Sequence, residues 1–537
     1  MIIHGDGLQR TERREEWVPV SVADSHRVTH TEELTVPKAT AMTFSTAHCA
    51  HFQGGGSWVL LDFGKEICGG VRLITRAAPG TVSFRVTFGE SMSEACSTIG
   101  VKNATNDHSP RDFEVMVSNM SDLTFGQTGY RFVRLELLSD AEVLIRNIFA
   151  VSLLPEFERE ATFTTNDQLL NDILHTAAYT LKLCMQNGYI WDGIKRDRLV
   201  WCGDLHPETL TSMYLFGETP HVVNSLLFLK SETPADGWMN NIPSYSAWWV
   251  VNLCDYCRTT GDKEFYDAHR EYAVAVMKHI NDCIREDGEM VFPDGYGMEY
   301  FLDWSTHQTE GAPAGVASML RYTAEKLLSM EENADCRDIL RKLERYVDIP
   351  TDRKPIRAFQ VLAGRRQADD AAMLQAGGAA DLSTFMSYYI LTATAKAGGT
   401  EMLSMLKEYY GGMLSRGATS FWEDFDIRWL EGSGRIDRLP AEGELDIHGD
   451  FGKFCYQQFR HSLCHAWSCG VLAFFMEYIV GICIEDGGKT VTVEPHLCGL
   501  TDLEVTVPMR EGDLTVTVKN GEITVVSPVT TNLIEKF

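Results

Sequence analysis

The feature that most constrains this chain is a double change of hydrophobic period. Up to about residue 160, apolar residues recur at every second position in short runs. From there to about 485 they recur at helical spacing, and beyond 485 period two returns. A face repeating every two residues and one repeating every 3.6 need different elements to bury them. The chain is therefore expected to fold as a β block, an α block and a second β block. At 537 residues it is also too long for one ordinary core.

In the first block the runs 57–63, 70–75, 82–88, 113–117, 130–137 and 143–153 are rich in Val, Ile, Phe and Leu and separated by turn residues. Such an array predicts a β-sandwich. The second block opens where Asn166 can cap a helix with Leu169, Ile173, Ala177 and Leu181 on one stripe. Helical segments are predicted at 166–186, 205–217, 219–232, 245–260, 262–286, 313–330, 334–347, 382–397, 400–412 and 461–482. A helical solenoid and an α/α toroid both fit this succession, and the lack of a fixed repeat counts against the solenoid. In the third block 490–493, 503–507, 514–518 and 523–526 alternate cleanly, and Asn520-Gly521 predicts a hairpin turn.

Composition narrows the function. The formal net charge of −27 repels phosphate backbones and anionic lipid, so neither nucleic acid nor a membrane surface is expected as a partner. The apolar stretch 471–484 is broken by Glu477 and too short to span a bilayer, so it reads as a buried helix. The 14 cysteines are scattered, as in reduced proteins. The N-terminus shows no basic region followed by an apolar one. Both observations point to the cytoplasm. The pair Cys254 and Cys257 has no second pair at zinc spacing, and no carboxylate completes a motif with His461 and His465, so no metal is expected.

Three stretches carry chemistry. Residues 191–208, WDGIKRDRLVWCGDLHPE, pack Asp192, Asp197 and Asp204, Lys195, Arg196 and Arg198, and Trp191 and Trp201 into one inter-helix segment. Six charges in a buried loop are costly unless paired, and two tryptophans are unusual in a solvated one. Aromatic faces beside carboxylates and guanidinium groups suit a neutral polyhydroxylated ligand. A salt-bridged helix start, with Asp204 as N-cap, is the plainer alternative. In 417–429, GATSFWEDFDIRW, Glu423 sits among aromatic residues and can take a proton from a trapped water. In 461–470, HSLCHAWSCG, the histidines read by themselves as hydrogen-bonded core residues.

Taken in order, these stretches resemble glycoside hydrolase family 78, the α-L-rhamnosidases. The resemblance lies in Asp192-x4-Asp197-Arg198-x2-Trp201-x-Gly203-Asp204, in Gly417-Ala418-Thr419-x2-Trp422-Glu423 and in Ser462-x2-His465-x-Trp467-Ser468-x-Gly470. Segments 236–250 and 300–306 are similar to that family's barrel, and 59–73 and 129–137 to its N-terminal sandwich. The resemblance implies a multidomain α+β chain. Its parts would be an N-terminal β-sandwich over 1–160, a catalytic (α/α)6 barrel over 161–484 and a small C-terminal β-sandwich domain over 485–537. It implies inverting hydrolysis without a cofactor, with Asp197 as general acid and Glu423 as general base. Asp192, Arg196, Trp201, Asp204, Trp249, Asp303, Trp304, Trp422 and His465 would bind the sugar. The expected partner is a rhamnose-containing oligosaccharide or glycoside. Many members carry Glu where this chain carries Asp197, so the loop must bring a shorter side chain to the bond. A monomer and a homodimer both stay open.

Two other readings compete. The same barrel hosts hydrolases of other sugars, including unsaturated uronic acids, which would want a cationic subsite. A sugar-binding relative that had lost turnover would keep the pocket.

Overall fold

The computed structural model describes residues 12–534. The N-terminal block forms an antiparallel nine-stranded sheet. Three long strands carry it: Trp58–Ala77, Asp122–Leu137 and Glu142–Pro155. The runs 57–63 and 70–75 are thus two halves of one strand. Its register shifts between Gly69 and Val71, because Gly69 and Gly70 lie against neighbouring backbone. A Cβ on Gly69 would fall 1.8 Å from the Val151 carbonyl oxygen. Phe52, Leu61, Phe84, Val133 and Ile145 build the core of this block.

The helical block has an inner and an outer set. Leu205–Phe216, Pro243–Thr260, Ala312–Met330, Lys354–Leu362, Ser387–Lys396 and Gly470–Phe474 each pack on the next, and the last returns to the first. The inner helices are apolar on most sides, as surrounded helices must be; every residue of Leu205–Phe216 is buried. Outer helices keep one apolar stripe. In Lys263–Asp282 it consists of Tyr266, Ala273, Val276, Met277 and Ile280. The helices Lys354–Leu362 and Asp370–Gln375 were not expected from the sequence.

Two details differ from the sequence reading. Asp167, not Asn166, caps Gln168–Cys184, its carboxylate accepting the Leu170 N–H at 3.1 Å. Asn166 instead faces the backbone of Thr501 and Asp502. The segment 461–482 is not one helix. Residues 461–465 are non-helical, Ala466–Cys469 is a 3-10 turn, Gly470–Phe474 is α, Phe475–Ile479 is π, and Ile482–Glu485 is a strand. Tertiary hydrogen bonds win here: the His465 and Ala466 N–H groups bond Phe421 and Asp192 carbonyls.

At the C-terminus, Asp502–Met509, Gly512–Lys519 and Glu522–Val526 form a sheet joined at its edge by Thr162–Thr165. Asn520 and Gly521 both have positive φ, as a two-residue hairpin turn requires. Leu503, Val505 and Val516 share the helices' core, so this sheet is seated on the helical block.

Candidate active site

The loops before the inner helices gather at one end of the ring. Residues 192–204 precede Leu205–Phe216, 240–242 precede Pro243–Thr260, 296–304 come before Ala312–Met330, and 465–467 precede Gly470–Phe474. Between them lies a cavity of about 290 Å³, at the small end of the range for small-molecule sites. Its lining includes Asp192, Asp197, Trp201, Asp204, Trp304, Glu423 and His465.

The first loop is pinned from several sides. Asp192 Oδ1 accepts the Leu199 N–H at 2.8 Å, which closes the loop on itself. Gly193 bridges to His465. Ile194 and the Lys195 backbone lie against Gly129 of the N-terminal sheet, where a Cβ would meet Ile194 Cγ1 at 2.6 Å. Asp197 and Arg198 then take left-handed backbone conformations, φ 57° and 59°, which two non-glycine residues adopt only where their surroundings impose it. Gly203 is needed for a similar reason, since a Cβ there would strike the Tyr245 ring at 2.5 Å. Asp204 occupies the N-cap position without capping; its Oδ1 accepts the Tyr245 hydroxyl at 3.0 Å.

Arg196 and Arg198 part ways. Arg198 stacks over Trp191, 4.6 Å from the ring centre. Arg196 turns inward and joins two carboxylates: it donates to Asp197 Oδ1 at 3.0 Å and to Glu423 Oε1. Burial works against the Arg196 charge, but Glu423 and Asp197 outweigh it. Glu423 is held further by the Ser462 N–H, which donates to its Oε2 at 3.2 Å. Its backbone carbonyl accepts the Thr384 hydroxyl at 2.5 Å and the Trp467 indole N–H at 3.0 Å.

His465 Nε2 stands 3.8 Å from Asp192, 3.9 Å from Asp204 and 3.7 Å from Glu423. Burial, then Arg196, holds its pKa well below the usual value, so the ring is neutral. Burial likewise pushes Asp192 and Asp204 well above the usual carboxylate range. Glu208, one turn beyond Asp204, is raised by burial too, and its Oε1 has no hydrogen-bond partner. Burial thus shifts Asp192 and Asp204 towards their neutral forms beside the His465 ring, and such groups can both donate to and accept from ligand hydroxyls.

Not every residue expected here reaches the cavity. Asp303 lines an adjoining crevice that shares Trp304, Glu423, Tyr456 and Trp467, and Ser305 and Ser383 hydroxyls donate to it. Trp249 is fully buried on its helix, donates to the Leu226 carbonyl and packs edge-on against Tyr272, so it is a core residue. Trp422 is buried against Phe425 and His461, behind Glu423 and outside the cavity. Both corrections have one cause: a tryptophan beside a motif in sequence can face the opposite way in space.

Sequence reading missed Tyr245, Tyr456 and Trp467, which line the cavity. Trp467 lies inside the third motif, and Tyr245 inside a segment already singled out. It also missed His108, from the N-terminal block. His108 Nδ1 accepts the Asp197 N–H at 2.6 Å and lies 3.1 Å from Asp197 Oδ1. No local signal connects residues 108 and 197.

Among the described residues, one group has metal-ligand spacing: Glu90, Glu94 and His448. The Lys195 ammonium already sits there, 2.8 Å from Glu90 and 3.2 Å from Glu94, so the donor set is answered by a side-chain cation. No helix among the described residues is long and apolar enough to cross a membrane.

Comparison with known proteins agrees with this architecture. Residues 158–319 match the bacterial α-L-rhamnosidase six-hairpin glycosidase domain. Among solved structures, a family 78 rhamnosidase of Bacillus sp. GL1 superposes with a TM-score of 0.71 at 20% identity, covering 94% of this chain and 55% of that one. A Klebsiella oxytoca rhamnosidase with rhamnose bound gives 0.68 at 18% identity, covering 88% and 96%. A Streptomyces avermitilis α-L-rhamnosidase complexed with L-rhamnose gives 0.65 at 16%, covering 89% and 48%. This chain therefore spans about half the length of the Bacillus and Streptomyces chains and nearly all of the Klebsiella one. No curated protein matches the sequence. The chain has the multidomain α+β fold of these rhamnosidases, and its residues 158–319 are similar to the bacterial α-L-rhamnosidase six-hairpin glycosidase domain.

Proposed function

We propose that this protein is an inverting α-L-rhamnosidase that removes terminal α-L-rhamnose from oligosaccharides or glycosides. The observation that carries the reading is the pair Asp197 and Glu423, two carboxylates on different loops facing one cavity and spanned by a single guanidinium, Arg196. An inverting glycosidase needs two carboxyl groups far enough apart, about 6.5–9.5 Å, to admit a water between base and anomeric carbon. On this reading the ring of inner and outer helices is an (α/α)6 barrel. It lies in sequence between an N-terminal sandwich and a C-terminal sandwich domain whose edge strand is Thr162–Thr165.

In the mechanism, Asp197 delivers a proton to the leaving oxygen while Glu423 takes one from the attacking water. Sugar hydroxyls and the water compete for Arg196 as the substrate enters, which frees both carboxylates from its grip. Asp192, Asp204 and His465 read the hydroxyls. Trp201 and Trp304 offer aromatic faces to the sugar's C–H surfaces and its methyl group. The place of Asp197 in the cavity lining, on a left-handed turn, supports the use of a shorter acid. The 14 free thiols support a reducing compartment, and hence the cytoplasm.

A uronate hydrolase is disfavoured by the cations: Arg196 is committed to two carboxylates, and Arg198 stacks on Trp191 outside the lining. The test is a panel of p-nitrophenyl glycosides with purified protein. Release from the α-L-rhamnoside alone is expected. Turnover of a glucuronide or another glycoside in its place would overturn the substrate. Binding of rhamnose without turnover would favour a sugar-binding protein.

A further inference from the structure

The N-terminal block does more than cover the helices. Glu90, between strand Val82–Gly89 and helix Met92–Ala95, reaches across to the loop that carries His465. Its Oε2 accepts the Leu463 N–H at 2.6 Å, and its Oε1 accepts the Ser462 hydroxyl at 3.2 Å. Ser462 in turn exchanges two bonds with Glu423: it donates its N–H to Oε2 and accepts the Glu423 N–H at 3.0 Å. Glu90 is also paired with Lys195, whose ammonium donates to the Phe459 and His461 carbonyls at 3.0 and 2.6 Å. The residue after Lys195 is Arg196, which holds both Glu423 and Asp197. Burial works against the Lys195 charge, and Glu90 and Glu94 outweigh it.

We infer that Glu90 is a positioning residue for the reaction: from the N-terminal block it sets the direction of the Glu423 carboxylate through Ser462, and anchors the Arg196–Asp197 loop through Lys195. This rests on the reading of Glu423 as general base. A carboxylate suits the position because each hydrogen bond to its oxygens is donated, two from the 462–463 segment and one from the Lys195 ammonium; burial, with Glu94 alongside, still pushes its pKa up to about 7 against the pull of Lys195. A glutamine in its place offers an NH2 on one side, so either the Leu463 N–H and the Lys195 ammonium or the Ser462 hydroxyl loses its bond to residue 90, while Lys195 keeps Glu94 and two carbonyls and Ser462 keeps the Cys464 carbonyl. Loss of that anchor frees the 459–463 segment and lets Glu423 swing on Arg196. A misplacement on the order of 1 Å costs up to about 100-fold in rate.

The test compares wild type with Glu90→Gln and Glu90→Asp, all full-length, well below their melting temperatures. Glu90→Gln is expected to lower kcat about 10- to 100-fold with KM within about twofold. The acid limb of the kcat–pH profile should change as well, since general-base catalysis depends on how the base is held. Glu90→Asp should recover part of kcat. A drop in melting temperature with wild-type kcat and acid limb would make Glu90 merely structural and overturn the proposal. A crystal structure of Glu90→Gln supplies a readout independent of substrate: Glu423 displaced from the Ser462 N–H supports the proposal, and Glu423 unmoved overturns it. Should wild type hydrolyse no rhamnoside, the function fails, and this structure still decides the positioning claim.

Discussion

The two ends of the inner helical ring hold buried acids in opposite states. Towards the C-terminal ends, Asp255 accepts Lys326 at 2.6 and 2.7 Å, His206 at 3.1 Å and Arg258 at 3.3 Å. Burial pushes Asp255 up, but Lys326, His206 and Arg258 outweigh it and hold it well below the usual range. A cavity of about 490 Å³, larger than the one at Glu423, lies beside it. At the N-terminal ends, Asp192, Asp204 and Glu208 are as deeply buried, have no cation within ion-pair reach and are pushed well above that range. Helix N-termini favour anions, yet desolvation wins there. The paired cluster offsets its burial with cations, whereas the unpaired one carries a desolvation cost that, on the proposed function, a ligand's hydroxyls would offset.

The contrast can be broken in graded ways. The largest effects are expected from Glu423→Gln and Asp197→Asn, each lowering kcat by about 100- to 10,000-fold while circular dichroism stays unchanged. Full activity in either would remove that residue from the mechanism. Next, Asp255→Asn removes the buried carboxylate that Lys326, His206 and Arg258 share and should cost about 3–5 kcal/mol in urea unfolding. The kcat of the folded fraction should be preserved; a selective loss of kcat would mean that the far end belongs to the site. Trp249→Phe should cost about 2 kcal/mol through the cavity it leaves and keep KM, whereas Trp304→Ala should raise KM severalfold. The reverse pattern would return Trp249 to the sugar.

The smallest effect has the most telling sign. A depressed carboxyl such as Asp255 contributes stability that is present above its unfolded pKa near 4 and lost as pH falls through its folded value. A raised one such as Asp204 does the opposite: stability falls as pH rises above about 4, until the folded value is passed. Asp204→Asn should therefore stabilise the protein at neutral pH by on the order of 1 kcal/mol while lowering activity, a trade common at active sites. Melting curves between pH 4 and 8 check it. A variant less stable than wild type at pH 7 would contradict the raised state of Asp204.

Much of this was legible in the chain because it is local. Period two and period 3.6 marked the blocks, Asn520-Gly521 marked a turn, and the 191–204 motif brought Asp192, Asp197 and Asp204 to one cavity. What escaped is set by distant contacts. Residues 461–465 have helical spacing but are drawn into hydrogen bonds with Phe421 and Asp192. Lys354–Leu362 and Asp370–Gln375 are too short to show a stripe. Glu90 and His108 act from a block whose sequence reads only as strands and turns. Trp249 and Trp422 were placed by proximity in sequence, which does not tell which face a ring presents.

The most direct test of the central claim is the anomeric outcome of hydrolysis. Wild-type protein is mixed with p-nitrophenyl α-L-rhamnoside, and the released sugar's anomeric proton is followed by NMR before mutarotation. The account predicts β-L-rhamnose first, as expected when Glu423 directs a water to the face opposite the bond that Asp197 protonates. First appearance of α-L-rhamnose would contradict it, because Glu423 would then be a nucleophile and not a base.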